Sequence, residues 1–299
     1  MSVVELEDVR KSYGDKVALE GLSVRVERGA VFGLLGPNGA GKTTALRIIM
    51  DIVRADQGRV LLFGRPLARE LLDRVGYLPE ERGLYTKHRV LDVMTYLGAL
   101  RGLRDGEVRA RARLWLDRVG LRDVEQLPVE KLSKGMSQKV QIAATLQAEP
   151  EICILDEPFS GLDPVNGALI RSLIQSLRSS GQTVILSTHQ MAMVETLCDS
   201  VALLSRGKLV ESGTMAEVRR RHTAPEVRVQ HTGPLPDVEG VAARETLADG
   251  CLRLTLTDEA SRVLGRLIHA GAQITRFEPA LASMEDIFIR VVGDEEMPR

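Results

Sequence analysis

The strongest constraint on this chain is the run Gly36-Pro37-Asn38-Gly39-Ala40-Gly41-Lys42-Thr43, which lies between the continuously apolar Val31-Phe32-Gly33-Leu34-Leu35 and a helical stretch, Lys42–Asp51. The spacing matches the pattern G-x-x-x-x-G-K-[ST] set between a buried strand and a helix. Glycines let a backbone wrap closely around a phosphate, where side chains would clash. Successive N–H groups then converge on the anion, and the following helix adds the positive end of its dipole. Lys42 is placed to reach the β- and γ-phosphates of ATP. The Thr43 hydroxyl, with Thr44 beside it, is placed to meet Mg2+. A glycine-rich turn without a ligand has similar composition; the apolar strand before it and the helix after it favour the phosphate reading.

A loop of this kind needs a parallel sheet to present it, and the rest of the chain supplies one. Val3–Val9 and Leu22–Val26 alternate like half-buried strands, with turn signals at Gly14-Asp15 and Arg28-Gly29. Residues 83–148 change texture: Val90–Arg101, Glu107–Val119 and Ser137–Gln147 carry helical periodicity, so a helical insert is predicted there. Strands at Ile152–Leu155, Thr183–Ser187 and Val201–Leu204 then alternate with helices at Val165–Ser179 and Met191–Leu197. That order implies an α/β domain with a parallel sheet covered on both faces. We place this domain at residues 1–220 and a linker at 221–226, overlapping the polar run Arg219–Pro225. A small α+β domain is placed at 227–293, with strands at Val227–Gln230, Ala242–Thr246, Leu252–Thr257 and Gln273–Glu278 and helices at Ser261–Ala270 and Ser283–Val292.

The strand Ile152–Leu155 ends in two acids, Asp156 and Glu157. Side chains at strand ends of an open parallel sheet reach the ligand crevice. Asp156 is expected to hold Mg2+ through water, and Glu157 to act as general base toward the attacking water. His189 follows the strand Thr183–Ser187, and its position brings it toward the γ-phosphate, whose presence it could sense through a hydrogen bond.

With these motifs in order, residues 1–220 resemble the ATP-binding subunits of ABC transporters. The resemblance implies a P-loop NTPase fold with a RecA-like parallel core, an antiparallel β-subdomain and the helical insert. It makes Asp156-Glu157-Pro158-Phe159 the Walker B acids running into a D-loop, Ser160-Gly161-Leu162-Asp163, and Leu186-Ser187-Thr188-His189 the switch-histidine segment. Tyr13 takes the place where the family stacks an aromatic ring on adenine. The signature segment reads Leu132-Ser133-Lys134-Gly135-Met136, with Lys134 in place of a glycine and Met136 in place of a glutamine. In the family it contacts the γ-phosphate held by the opposite subunit; Ser133 also suits an ordinary helix cap. Glu80, within Gly76-Tyr77-Leu78-Pro79-Glu80, stands at the family's Q-loop glutamine and remains a candidate Mg2+ ligand. YLPEERGLY (Tyr77–Tyr85) and LSKGM together are similar to an ABC exporter subgroup that includes sodium-efflux-type ATPases, and Ser283–Arg290 resembles the tail of that subgroup's accessory domain.

The implied function is ATP binding and hydrolysis driving transport, by export, through a separate integral-membrane permease. The implied partners are that permease and a second ATP-binding subunit, identical or related. The net charge of -1 carries no basic excess of the kind nucleic-acid binders show, so no nucleic-acid partner is expected. The alternative, a soluble ABC ATPase acting on ribosomes or DNA, usually carries two ATPase units or large basic or coiled-coil insertions. A small-molecule P-loop kinase would lack the signature and D-loop. No run reaches the roughly 18 apolar residues of a membrane span, and the N-terminal MSVVELEDVRKSYGDK has no basic-then-apolar signal pattern. The expected location is cytoplasmic, on the inner face of the membrane through the permease. Cys153, Cys198 and Cys251 have neither disulfide-framework nor zinc-ligand spacing, so buried small hydrophobes are expected.

Overall fold

The computed structural model describes residues 1–81, 83–247 and 249–296. They fall into two compact units, Met1–Met215 and Ala216–Arg299. The first unit opens with β1 (Ser2–Tyr13) and β2 (Lys16–Glu27), an antiparallel hairpin longer than the alternating cores Val3–Val9 and Leu22–Val26. Next come β3 (Val31–Leu35), buried at every position, and α1 (Lys42–Ile49). Residues between α1 and the helical insert carry little periodicity, yet they form β4 (Gln57–Leu62), β5 (Arg65–Pro66), α2 (Arg69–Leu72) and β6 (Val75–Leu78). Elements this short give a period of two almost nothing to repeat over; sheet partners stabilise them. The segment Tyr77–Tyr85 includes Arg82, which lies outside the described residues.

The insert consists of α3 (Val90–Leu100), α4 (Asp105–Arg118) and α5 (Lys134–Leu146). Helix α5 begins at Lys134 rather than Ser137, because the Ser133 side chain accepts a hydrogen bond from the Met136 amide and caps it. Then follow β7 (Ile152–Asp156), α6 (Pro164–Ser179), β8 (Thr183–Thr188), α7 (Met191–Leu197), β9 (Ser200–Ser205) and β10 (Lys208–Thr214).

Two sheets result. One is antiparallel, in the order β2-β1-β4-β5; the other runs β10-β9-β3-β8-β7-β6, parallel except for β10. This is the α/β P-loop NTPase layout with an antiparallel subdomain. Helix α1 fills the core that both sheets share: Leu46 and Ile48 lie in one apolar cluster with Leu6, Leu22 and Leu62 of the first sheet and Phe32 and Ile154 of the second. Each such side chain, fully buried, contributes roughly 1.5–3 kcal/mol, so the helix that follows the glycine-rich loop is anchored on both sides.

The second unit begins within α8 (Met215–His222) and continues as β11 (Glu226–Thr232), β12 (Val241–Thr246), β13 (Leu252–Leu256), α9 (Ala260–His269), β14 (Gln273–Pro279) and α10 (Met284–Glu296). Residues 221 and 222, read as linker, are the end of α8: Val218 is buried while the arginines that follow it are not, which imitates linker composition. The antiparallel sheet β12-β13-β11-β14 packs Val227, Val229 and Leu254 against Val263 and Leu267 of α9. Among the described residues, no helix is long and apolar enough to cross a membrane. All three cysteines are free and buried, and burial pushes the Cys153 and Cys198 thiols up to about 12.

Candidate functional site

The site is made by strand register. Parallel pairing sets Leu35 of β3 beside Thr188 of β8, and Ser187 of β8 beside Asp156 of β7. The glycine-rich loop, the two acids and the segment ending in His189 therefore leave the sheet at the same edge, the carboxyl ends of three adjacent strands.

The loop is held by close backbone approaches. Gly36 has φ +148°, and a Cβ there would sit 2.3 Å from the Leu204 carbonyl oxygen of β9. Gly41, with φ +108°, caps α1, where a Cβ would sit 2.5 Å from the Ala18 carbonyl oxygen of β2. Only glycine meets both demands. The Ala40 carbonyl accepts a hydrogen bond from the Gly207 amide at 3.0 Å, tying the loop to the β9–β10 turn.

Lys42 is buried and curls back over the loop. Its ammonium donates to the Gly36 carbonyl at 2.7 Å and the Pro37 carbonyl at 3.3 Å, and stands 3.7 Å from Glu157 Oε1; the two paired side chains are each 7% exposed. His189 Nδ1 lies 3.0 Å from the same Glu157 oxygen, with its ring 54% exposed. Glu157 has φ +49°, a left-handed conformation uncommon for a non-glycine residue. Its amide is held by the Ser187 carbonyl and hydroxyl, each at 3.1 Å.

Asp156 is wholly buried. Its Oδ1 accepts a hydrogen bond from the Ser187 hydroxyl. Asp156 Oδ2 and Glu157 Oε2 are buried with no protein hydrogen-bond partner among the described residues. Two buried carboxylate oxygens in this condition are costly unless another group meets them. Hard oxygen donors suit Mg2+, so these residues fit such an ion. Among the described residues, no cluster of three or more His, Cys, Asp or Glu could hold a metal ion.

A cleft of roughly 360 Å³ is lined by Tyr13, Pro37, Asn38, Gly39, Ala40, Gly41, Lys42, Thr43, Thr44, Glu80 and Glu157, together with Lys16 and Ala18. Tyr13 is 49% exposed at the end of β1, so it stands out of the core and offers a ring face. Lys11 Nζ lies 5.6 Å from that ring's centroid. Glu80, exposed after β6, shares the cleft with the loop. Lys16 was invisible to sequence reasoning; only the hairpin brings this cation to the cleft mouth. Ser187 was read as one letter of a motif, with nothing local to mark it as the partner of Asp156.

The signature residues are elsewhere: none of Ser133, Lys134, Gly135 and Met136 lines that cleft. A Cβ on Gly135 would lie 3.6 Å from Leu162 and 4.0 Å from the Gly161 carbonyl, which puts the start of α5 against Ser160–Asp163. Asp163 caps α6, accepting from the Asn166 amide at 2.9 Å and the Asn166 side chain at 2.6 Å. Those bonds hold its carboxyl below the usual range. One turn into α5, Gln138 donates to the Pro158 carbonyl at 3.3 Å, and burial lowers the Lys139 ammonium, opposed by Asp163.

Comparison with known proteins follows the same division. The ABC transporter family profile matches residues 19–160. A profile described as the C-terminal domain of DrrA1-3-like ATP-binding proteins matches residues 213–292. The chain is 37% identical to the ABC transporter ATP-binding protein YhaQ of Bacillus subtilis (strain 168) over 294 residues, covering 97% of this chain and 99% of that one. It is 36% identical to the daunorubicin resistance ATP-binding protein DrrA3 of Streptomyces coeruleorubidus, covering 73% and 70% respectively. A solved ATP-binding subunit of an ABC transporter superposes with a TM-score of 0.68 at 30% identity, covering 74% of this chain and 93% of that structure.

Proposed function

The chain belongs to the family of ABC transporter ATP-binding proteins and carries a DrrA-like C-terminal domain; from that premise we propose that it hydrolyses ATP to drive export through a separate integral-membrane permease. The observation that carries this reading is the group Lys42, Asp156 and Glu157: buried charges gathered at strand ends, with two carboxylate oxygens that no described residue meets. The export direction is supported by the resistance protein among its relatives, since resistance by transport means removing the drug.

In the proposed complex the triphosphate lies along residues 36–44, with Tyr13 against the adenine. Lys42 moves its ammonium from the loop carbonyls to the β- and γ-phosphates. Asp156 through water, with Thr43 and Glu80, would hold Mg2+, which would neutralise charge on the phosphate oxygens. Glu157 accepts a proton from the attacking water. His189 bridges that carboxylate and the γ-phosphate, so loss of the phosphate removes one of its two partners.

Ser133, Lys134, Gly135 and Met136 act on the ATP held by a second subunit, identical or related. None of them lines this chain's own cleft, and Gly135 lies against Gly161 and Leu162. The γ-phosphate is then contacted from both sides, and its departure separates the pair. The helical insert, which carries the signature, passes that movement to the permease. Tyr85 and Tyr96, half-exposed and edge-to-face at 5.5 Å, give the insert an apolar surface cleft suited to such a partner.

One experiment tests the reading. Glu157→Gln protein is extracted with detergent from cell membranes in MgATP. It is expected to retain ATP, run as a dimer, fail to turn over, and bring with it a polytopic membrane protein. Unimpaired hydrolysis, or recovery with ribosomes or DNA instead of a membrane protein, overturns it.

A further inference from the structure

Ser187 is fully buried near the end of β8, and its hydroxyl has two assigned tasks. It donates its one proton to Asp156 Oδ1 and accepts from the Glu157 amide at 3.1 Å. The order of these bonds is forced: an amide N–H can only donate, so the hydroxyl proton is left for the carboxylate. Asp156 is thereby pinned through one oxygen, and Oδ2 is the oxygen without a hydrogen-bond partner among the described residues. The backbone of Glu157 has a second support, because the Ser187 carbonyl also accepts from its amide at 3.1 Å. Deleting the hydroxyl would therefore free the Asp156 carboxylate to turn while leaving the Glu157 turn its main-chain bond.

We infer that Ser187 is a positioning residue for the divalent cation bound with ATP: it fixes Asp156 in the single orientation that leaves Oδ2 for the cation's hydration shell. The inference rests on the Mg2+-ATP reading above and adds a residue to it. No other side chain among the described residues donates to the Asp156 carboxylate. Outer-shell groups that orient the carboxylates around a metal typically cost roughly 10- to 100-fold in metal affinity when removed.

The test reads cation binding rather than turnover. Mn2+ is titrated into the ATP complex and free Mn2+ is followed by EPR, beside ATP binding in EDTA. Ser187→Ala is expected to weaken Mn2+ binding by roughly 10- to 100-fold with cation-free ATP affinity unchanged. Ser187→Thr, which keeps the hydroxyl, is expected to restore it. Should Ser187→Ala fail to fold, Ser187→Cys, a weak donor, is expected to show the same loss. Wild-type Mn2+ affinity in a folded Ala or Cys variant overturns the inference, and so does a Thr variant as weak as Ala. If the wild-type chain takes up no Mn2+ with ATP, the Mg2+-ATP reading itself fails, a different result.

Discussion

Lys42, Asp156 and Glu157 are buried and bonded to one another or to neighbouring strands, whereas Ser133 and Lys134 stand exposed at the first turn of α5. In the proposed dimer each region meets a triphosphate, the first this chain's own and the second the partner's. Buried charges are tolerable only where hydrogen bonds and opposite charges hold them, so the first region must be complete within one chain. An exposed helix start costs little to leave facing water. Lys134 even opposes the helix dipole, by roughly 0.3–1 kcal/mol, an expense a bound phosphate would reverse. The contrast teaches that the chain preorganises one half of a site and displays the other. Damage to the first half should appear in the isolated protein, and damage to the second only when two copies meet.

The largest effect tests how rigidly the first half is built. Gly36→Ala is expected to destabilise the fold by roughly 3–5 kcal/mol, combining left-handed strain with overpacking, because its methyl would collide with the Leu204 carbonyl. A urea melt with an unchanged midpoint would break the contrast. Next is Lys42→Ala, expected to lower ATP affinity by roughly 10- to 100-fold, the value of a charge-assisted phosphate contact. Equilibrium binding to a monomer suffices to see it; wild-type affinity would remove Lys42 from the cradle. The smallest effect in the lone chain is that of Ser133→Ala, which loses a helix cap worth about 1 kcal/mol. Its monomer should bind ATP normally, yet ATP-dependent pairing should fail in sedimentation. A monomer with weakened ATP binding would place Ser133 in its own cleft and collapse the distinction.

Much of this was legible beforehand where the chemistry is local. The span from Gly36 to Thr43 is proposed to wrap one phosphate, a task for residues adjacent in sequence, and the strand before it reads as apolar because it is buried at every position. In sequence Asp163 reads only as part of the D-loop that the resemblance implies; its capping bond to Asn166, though local, emerges from the structure. The helix α5 was legible as periodicity, but not the use it makes of its glutamines. Gln138, Gln141 and Gln147 each donate from a buried side chain to a backbone carbonyl of a different segment, at Pro158, Glu81 and Met94. A glutamine on a helix looks the same whether it faces water or a carbonyl.

By itself, then, the sequence determined the phosphate-wrapping loop, the acids at a strand end and the alternation that builds a parallel sheet, because each is written in neighbouring residues. Tertiary structure alone decided that Ser187 grips Asp156 from 31 positions away, that Lys42 meets Glu157, and that the signature rests on the D-loop segment instead of this chain's own cleft. Parallel strands pair residues that are distant along the chain, and the register that joins them is fixed by the packing of both sheet faces, so no local stretch carries it.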